Sequence, residues 1–392
     1  MKYGGVLKNL YLCKKKIMIQ REIQTVIEQK LFKGKAIILT GPRQAGKTTL
    51  LKQIALKKEA SVIMFNCDEP EVRSLLTDTN IQKLQSIIGK KELVMIDEAQ
   101  RIKNIGLTLK LIVDTWPDVQ LIATGSSSLD LANKISEPLT GRKFEYHLFP
   151  FSVNELVLAT NALIEQQALE KRLIYGVYPD VVNYVGDEKE CLLNLSNSYL
   201  YKDILALGDI RNPSQLENLL VALALQTGSE VSYHELAQTI HADSQTVERY
   251  IRLLEQCFIV FRLSAYSRNL RNEIKKGKKI YFYDNGIRNA ILQNFSPLNL
   301  RQDTGALWEN YFISERLKAN HYRRYFARSF FWRTFQQQEI DLIEDADGLL
   351  TAFEIKWNEK RKPKLPETFA QTYPNHQFCI VNRTNYMDFL IQ

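Results

Sequence analysis

Gly41-Pro42-Arg43-Gln44-Ala45-Gly46-Lys47-Thr48 fits the pattern G-x-x-x-x-G-K-[ST], and this octapeptide constrains what the chain around it can fold into. The pattern needs a strand before it and a helix after it. Ala36-Ile37-Ile38-Leu39 is a short apolar run of strand type, and Thr48–Leu56 reads as an amphipathic helix. The two glycines let the backbone close around a phosphate so that its N–H groups point inward. The following helix N-terminus adds partial positive charge. Gly41 through Thr49 are therefore the expected nucleotide-binding residues, with Lys47 reaching the β- and γ-phosphates and the Thr48 hydroxyl binding Mg²⁺. So short a pattern also arises by chance, and the flanking strand and helix argue against chance here.

A chain of 392 residues is too long for one comfortable core, and two or three domains are expected. Its five cysteines, Cys13, Cys67, Cys191, Cys257 and Cys379, are far apart and form no C-x-x-C pair. Neither a disulfide framework nor a zinc site is implied, and a reducing cytoplasm fits. The longest apolar runs, such as Leu219–Leu225, are far below the roughly 20 residues that span a bilayer, so no membrane is expected. Met1–Lys16 is basic without a signal-peptide core, and either Met1 or Met18 can be the natural start. The net charge of +8 favours anionic partners.

Further strands are expected at Ser61–Phe65, Leu93–Ile96 and Val119–Ala123, alternating with helical stretches. That is the pattern of a parallel sheet covered on both faces, with its site at the strand carboxyl ends. An N-terminal helix is expected over 19–34. Leu93–Glu98 has the form of the second nucleotide triphosphatase signature. Asp97 supports the Mg²⁺ through water, and Glu98 polarises the attacking water. The plainer reading is a pair of exposed carboxylates at a strand end. Ser126 or Thr124, after the fourth strand, is placed to sense the γ-phosphate, with an ordinary polar turn as the alternative.

The order GPRQAGKTTL, LVMIDEAQ, ATGSSS, LTGRKFEYHLFPFSVNEL resembles the AAA-type ATPases of bacteria and archaea that precede a C-terminal domain of unknown function, the AAA_14 and DUF4143 pair. The resemblance covers roughly residues 19–385. It implies ATP rather than GTP, Mg²⁺, and a homo-oligomer. It makes Arg142 an arginine finger or sensor, acting in cis or from a neighbouring subunit; an ordinary surface arginine is the alternative. It also implies a P-loop core over 19–150 and a helical lid over 151–212, in which Asn194–Leu205 reads as packing.

Residues 213–265 change rhythm. A helix over Gln215–Gln226, a turn at His241-Ala242-Asp243, a helix from Ser244 to Glu255 and a strand at Ile259–Leu263 make a winged helix. Leu236, Ala237, Val247, Ile251 and Leu254 form its seam. Gln245, Glu248, Arg249 and Arg252 would face a DNA groove, although such folds also serve as protein spacers. From Arg262 to Lys279 seven basic residues accompany one acid, a DNA footprint or a solvated loop.

The last domain is expected over 279–392. Arg316–Arg333 holds six basic residues and interleaved aromatics, read as core strand before base-stacking platform. Then Glu339-Ile340-Asp341, a turn at Asp345–Gly348, and Glu354-Ile355-Lys356 make a hairpin. Glu354 and Lys356 share a face, and with Asp341 and Glu309 they can hold Mg²⁺, Lys356 orienting a hydrolytic water. This resembles the PD-(D/E)-x-K nuclease core, without its usual proline. The resemblance implies a restriction-endonuclease-like α/β fold. A salt-bridged, inactive domain is the alternative.

Together these readings give an α/β chain: an AAA-type P-loop ATPase with helical lid, a winged helix, and a nuclease-like domain. The function expected is a DNA-processing ATPase, acting on branched or broken DNA. The alternative is an ATP-controlled switch whose inactive C-terminal domain binds a protein partner.

Overall fold

The computed structural model describes residues 18–57, 61–126, 139–197, 210, 212–267 and 277–391. Five parallel strands form the first sheet: β1 (Ala36–Thr40), β2 (Val62–Asn66), β3 (Leu93–Asp97), β4 (Gln120–Gly125) and β5 (Lys143–His147), in the order β2-β3-β4-β1-β5. β1, β3 and β4 are buried throughout, as continuous apolar runs in a sheet covered on both faces should be. Alternate residues divide between two cores. Ile37, Leu39, Met95 and Ile122 meet helices α1 (Glu22–Glu28) and α2 (Lys47–Lys57), while Ile38, Val94, Ile96 and Ala123 meet the helix Ile105–Thr115.

The N-terminal helix is shorter than the 19–34 expected, because Arg21 is extended and Phe32 and Gly34 turn with positive φ. β5 was not anticipated. Its sequence, Lys-Phe-Glu-Tyr-His, is that of a half-covered edge strand rather than an apolar run. After it the chain runs through Leu148–Ser152 into α3 (Val153–Ala159), which opens with a capping box between Ser152 and Glu155. α4 (Ala162–Tyr175) and the helices Pro179–Asn183 and Glu188–Ser196 follow. The latter part of the expected 194–205 packing segment lies outside the described residues.

Next come α5 (Pro213–Leu225), β6 (Glu230–Val231), α6 (Tyr233–Thr239) and α7 (Ser244–Gln256). The Asp243 carboxylate accepts from Thr246 N at 2.8 Å and caps α7. Leu236, Ala237, Val247, Ile251 and Leu254 are all buried. β7 (Val260–Ala265) and β8 (Lys278–Phe282) pair antiparallel. These two strands do not close off a module of their own. β7 also pairs in parallel with β9 (Arg328–Arg333) through Ser264–Phe330 and Ala265–Phe331. With β10 (Glu339–Ala346), β11 (Leu349–Ile355) and β12 (His376–Val381) they form one seven-stranded sheet, ordered β12-β11-β10-β9-β7-β8-β6. The boundary expected between 265 and 279 therefore falls inside a continuous sheet. The hairpin at Asp347-Gly348 stands where the turn was expected, with both residues at positive φ.

One helix joins the two sheets. α8 (Thr304–Tyr322) has 19 residues and is buried on most sides, spanning about 28 Å. Near its start Asn310 bonds both N and O of Phe282 in β8. Towards its end, side chains satisfy alternate peptides of the extended 147–153 segment. His147 N donates to His321 Nε2 (3.1 Å), Phe149 N to the Tyr322 hydroxyl (3.0 Å), and Val153 N to Glu315 Oε2 (2.8 Å). The Lys318 ammonium donates to Phe151 O (3.1 Å). Among the described residues no helix is long and apolar enough to cross a membrane.

Lys318 and Glu315 pair at 2.6 Å with both side chains shielded from water. Removing one partner of such a pair leaves an uncompensated buried charge. Lys318→Met is expected to cost about 3–5 kcal/mol in denaturant unfolding, with the double variant Lys318→Met/Glu315→Gln losing less.

Candidate active site

The loop between β1 and α2 and the carboxyl ends of β3 and β4 form the candidate active site. β4 stands between β1 and β3, so Asp97 starts about 10 Å from the β1 axis. α2 crosses this gap: Thr48 Oγ1 donates to Asp97 Oδ2 at 2.6 Å, and the Thr124 hydroxyl donates to Asp97 Oδ1. Asp97 is buried and held from two sides. The Lys47 ammonium, also buried, donates to Gly41 O (2.8 Å) and Pro42 O (2.9 Å). A side chain at Gly41 would strike Leu148 O, its Cβ falling 2.1 Å away; that position is closed to anything but glycine.

Gly46, Lys47, Thr48, Thr49 and Glu98 line a cleft of about 480 Å³, ample for a nucleotide. Gln53 lines it as well, and its Oε1 is buried with no hydrogen-bond partner among the described residues. The buried ammonium and the glycine-lined backbone suit an anionic group, and the orphaned acceptor suits a donor such as a ligand hydroxyl or amino group. Glu98 has φ of +53°, a conformation that costs a non-glycine residue energy and concentrates at functional sites. Gln100 Nε2 fixes the site from behind, donating to Glu98 Oε2 at 2.5 Å and to Ser126 Oγ at 2.9 Å. Glu98, Ser126 and Thr124 are thus brought together as expected from the strand ends. Gln100 was missed; its only sequence signal was its place two residues after Glu98.

Arg142 is elsewhere. It precedes β5, and its carbonyl accepts from Ala36 N at the amino end of β1 (2.9 Å). The phosphate loop follows the opposite end, a strand length or roughly 17 Å away. Arg142 is exposed and ion-paired with Asp114 at 2.7 Å. It takes no part in the site of its own chain, which corrects the in-cis reading.

The second expected cluster is only partly assembled. Lys356 Nζ bridges Asp341 Oδ2 (3.0 Å) and Glu354 Oε1 (2.9 Å). Asp341 Oδ2 also accepts from Ile355 N at 2.7 Å. Asp341 lies where β10 shifts register against β9, between Ile340 and Ile343. Glu309 accepts from the Tyr281 hydroxyl at 2.6 Å and faces Lys279 at 3.4 Å. Among the described residues no three His, Cys, Asp or Glu side chains gather as metal ligands. The carboxylates expected there are each ion-paired with a lysine, Asp341 and Glu354 with Lys356 and Glu309 with Lys279. Glu309, Lys356, Trp357 and Arg361 still line a cleft of about 300 Å³.

The expected basic footprint is described only in part. Arg262 pairs with Glu255 at 2.6 Å, and Lys279 is buried against Glu309 and Glu339. Arg268, Arg271, Lys275 and Lys276 lie outside the described residues. In the later run Arg316 pairs with Glu344, and Lys318 with Glu315. Phe330, Phe331 and Trp332 are buried in β9, and Tyr325 and Phe326 are exposed.

Burial and the nearby Asp341 charge push the Glu309 carboxyl up to about 7. A raised carboxyl pKa means that the folded state holds its proton more tightly than the unfolded chain does. Stability is then present below the unfolded value near 4.5 and declines as pH rises through about 7. Glu309→Gln removes this dependence. The melting-temperature difference between variant and wild type is expected to move in favour of the variant from pH 5 to pH 8.

Residues 33–157 match a family model described as an AAA domain, 304–390 match DUF4143 and 166–298 match DUF8612, the last two described as domains of unknown function. An uncharacterised protein of Mycobacterium tuberculosis is 28% identical over 346 residues, covering 86% of this chain and 74% of its own length. One from Methanocaldococcus jannaschii is 28% identical over 300 residues, covering 66% and 63%. A solved Walker-type ATPase of Pyrococcus abyssi has the same fold over 71% of this chain and 97% of its own, with a TM-score of 0.51 at 14% identity. The chain thus matches an AAA domain, DUF8612 and DUF4143 in succession, and shares the fold of a Walker-type ATPase.

Proposed function

We propose that the chain is a Mg²⁺-dependent ATPase whose turnover drives a C-terminal module, and that this module engages DNA. The observation that carries the ATPase reading is the meeting of Lys47, Thr48, Asp97 and Glu98 at one cleft. Lys47 balances the β- and γ-phosphate charge, and the Gly41–Thr49 backbone holds the phosphates. Thr48 would hold Mg²⁺, with Asp97 behind it through water; the ion would neutralise charge on the transferring phosphoryl group. Glu98, steadied by Gln100, orients and polarises the attacking water. Ser126 shares the Gln100 amide and senses the γ-phosphate. Arg142, remote from its own site, acts as a finger on a neighbouring subunit in a homo-oligomer. ATP as the nucleotide follows from the likeness to AAA domains.

DNA engagement is supported by the net charge of +8 and by exposed Gln245, Arg249 and Arg252 on α7, the second helix of an α6–turn–α7 pair read as a winged helix. On this reading Glu309, Asp341, Glu354 and Lys356 are a restriction-endonuclease-like cleavage site. A second reading is favoured by the seating of Lys356 between Asp341 and Glu354 and by the internal pairing of the basic run. In it the module cleaves nothing and binds a protein partner under ATP control.

The deciding measurement is the rate of ATP hydrolysis with Mg²⁺, alone and with four-way-junction, forked and linear DNA. Lys47→Ala is expected to lower kcat/KM about 100-fold or more. Arg142→Ala should also be slow at saturating ATP, and mixing it with Lys47→Ala should restore turnover if the finger works across subunits. Stimulation by one DNA form supports the DNA reading; indifference to all of them favours the protein-partner switch. Any cleavage of that DNA is expected to vanish in Asp341→Ala and in Lys356→Ala, and cleavage that persists in both rules out the second site.

A further inference from the structure

One guanidinium connects the phosphate loop to the C-terminal half of the chain. Arg21, just ahead of α1, is 4% exposed. Its Nη1 donates to Ala45 O in the loop (2.6 Å), Nη2 to Phe149 O (2.5 Å), and Nε to Glu155 Oε1 (3.0 Å). The same group lies 4.9 Å from the centre of the Phe151 ring. A Cβ on Gly46 would sit 3.5 Å from Nη1, so the fork lies against the loop, and Arg21 lines the same cleft as Gly46 and Lys47. Phe149 is held from its other side too. Its N–H donates to the Tyr322 hydroxyl at the end of α8 (3.0 Å), and Tyr322 also interacts with the guanidinium.

A purely structural role would need less. Glu155 is already bonded by the N–H groups of Glu22 (2.9 Å) and Ser152 (3.0 Å), and any cation would neutralise it. A lysine could do that. Its one nitrogen would then have to serve Glu155, Ala45 O and Phe149 O together, where arginine gives each a separate donor on a rigid plane. Buried bonds of this kind have no water to replace them, so the groups they join move together or lose the bond outright.

We infer that Arg21 is a positioning residue that transmits the state of the phosphate loop to helix α8 through the Phe149 peptide. This rests on the nucleotide binding proposed above. A ligand that draws the Ala45 peptide towards the cleft shifts the fork, and the fork shifts Phe149 against Tyr322.

The test is hydrogen exchange of peptides covering residues 304–322 in the full chain, with Mg²⁺ and with or without a non-hydrolysable ATP analogue. Wild type, Arg21→Lys and Tyr322→Phe are compared, and analogue binding is titrated in the same samples. In wild type the analogue is expected to change exchange in the last turn of α8 by about threefold or more. Tyr322→Phe should bind the analogue and lose that response, and Arg21→Lys, whose side chain lines the cleft, should lack the response at saturating analogue. A wild-type response in either variant overturns the inference, as does a wild type that binds the analogue with α8 unchanged. If wild type binds no analogue, the ATPase reading itself fails and takes the inference with it. Should Arg21→Lys not fold, Tyr322→Phe decides alone, because it removes the α8 end of the connection and leaves the arginine in place.

Discussion

A chain that leaves one sheet to join another must carry its peptide groups through a dry interior. Buried N–H and C=O groups without partners are costly, and residues 147–153 meet that demand with borrowed side chains. His321, Tyr322, Lys318 and Glu315 supply partners for residues 147, 149, 151 and 153 in turn. All four come from α8, whose other end is bonded to β8. The first sheet, the segment after it and the seven-stranded sheet are thereby held in one arrangement. The phosphate loop shares in this, since Gly41 packs against Leu148 with no room for a side chain.

Much of the first sheet could be read from the chain because its physics is local. An apolar run covered on both faces declares itself as a strand, and Ala36–Thr40, Leu93–Asp97 and Gln120–Gly125 are such runs. The glycine loop and Asp97-Glu98 were legible for a similar reason: each is a short motif tied to a strand end. β5 escaped because an edge strand needs cover on part of one face only. The in-cis reading of Arg142 failed because a motif gives sequence order, and only the pairing of β5 with β1 tells which end of the sheet it occupies.

The C-terminal half illustrates a different limit. A run of basic residues carries no label saying whether its charges are spent internally. Lys279 looked like part of a surface footprint and is 2% exposed, facing Glu309 and Glu339. Its partners lie 30 and 60 residues away, beyond any local pattern. The same holds for Glu354 and Lys356. Their shared face followed from strand periodicity, whereas their coupling to Asp341 depends on the register of β10 against β11. Non-local pairing decided what these side chains have left to offer a ligand.

The short parallel contact between β7 and β9, only two residue pairs long, has a bearing on how such a chain can be divided. Strands on either side of it were assigned to separate modules, yet each covers the other's open edge. Cutting between them would expose two rows of unpaired backbone donors and acceptors, the template on which strands of other molecules add. A fragment ending near 265, or one starting near 279, would trade an internal seam for a sticky margin. The two parts thus share one sheet, and the join between them is itself a safeguard against self-association.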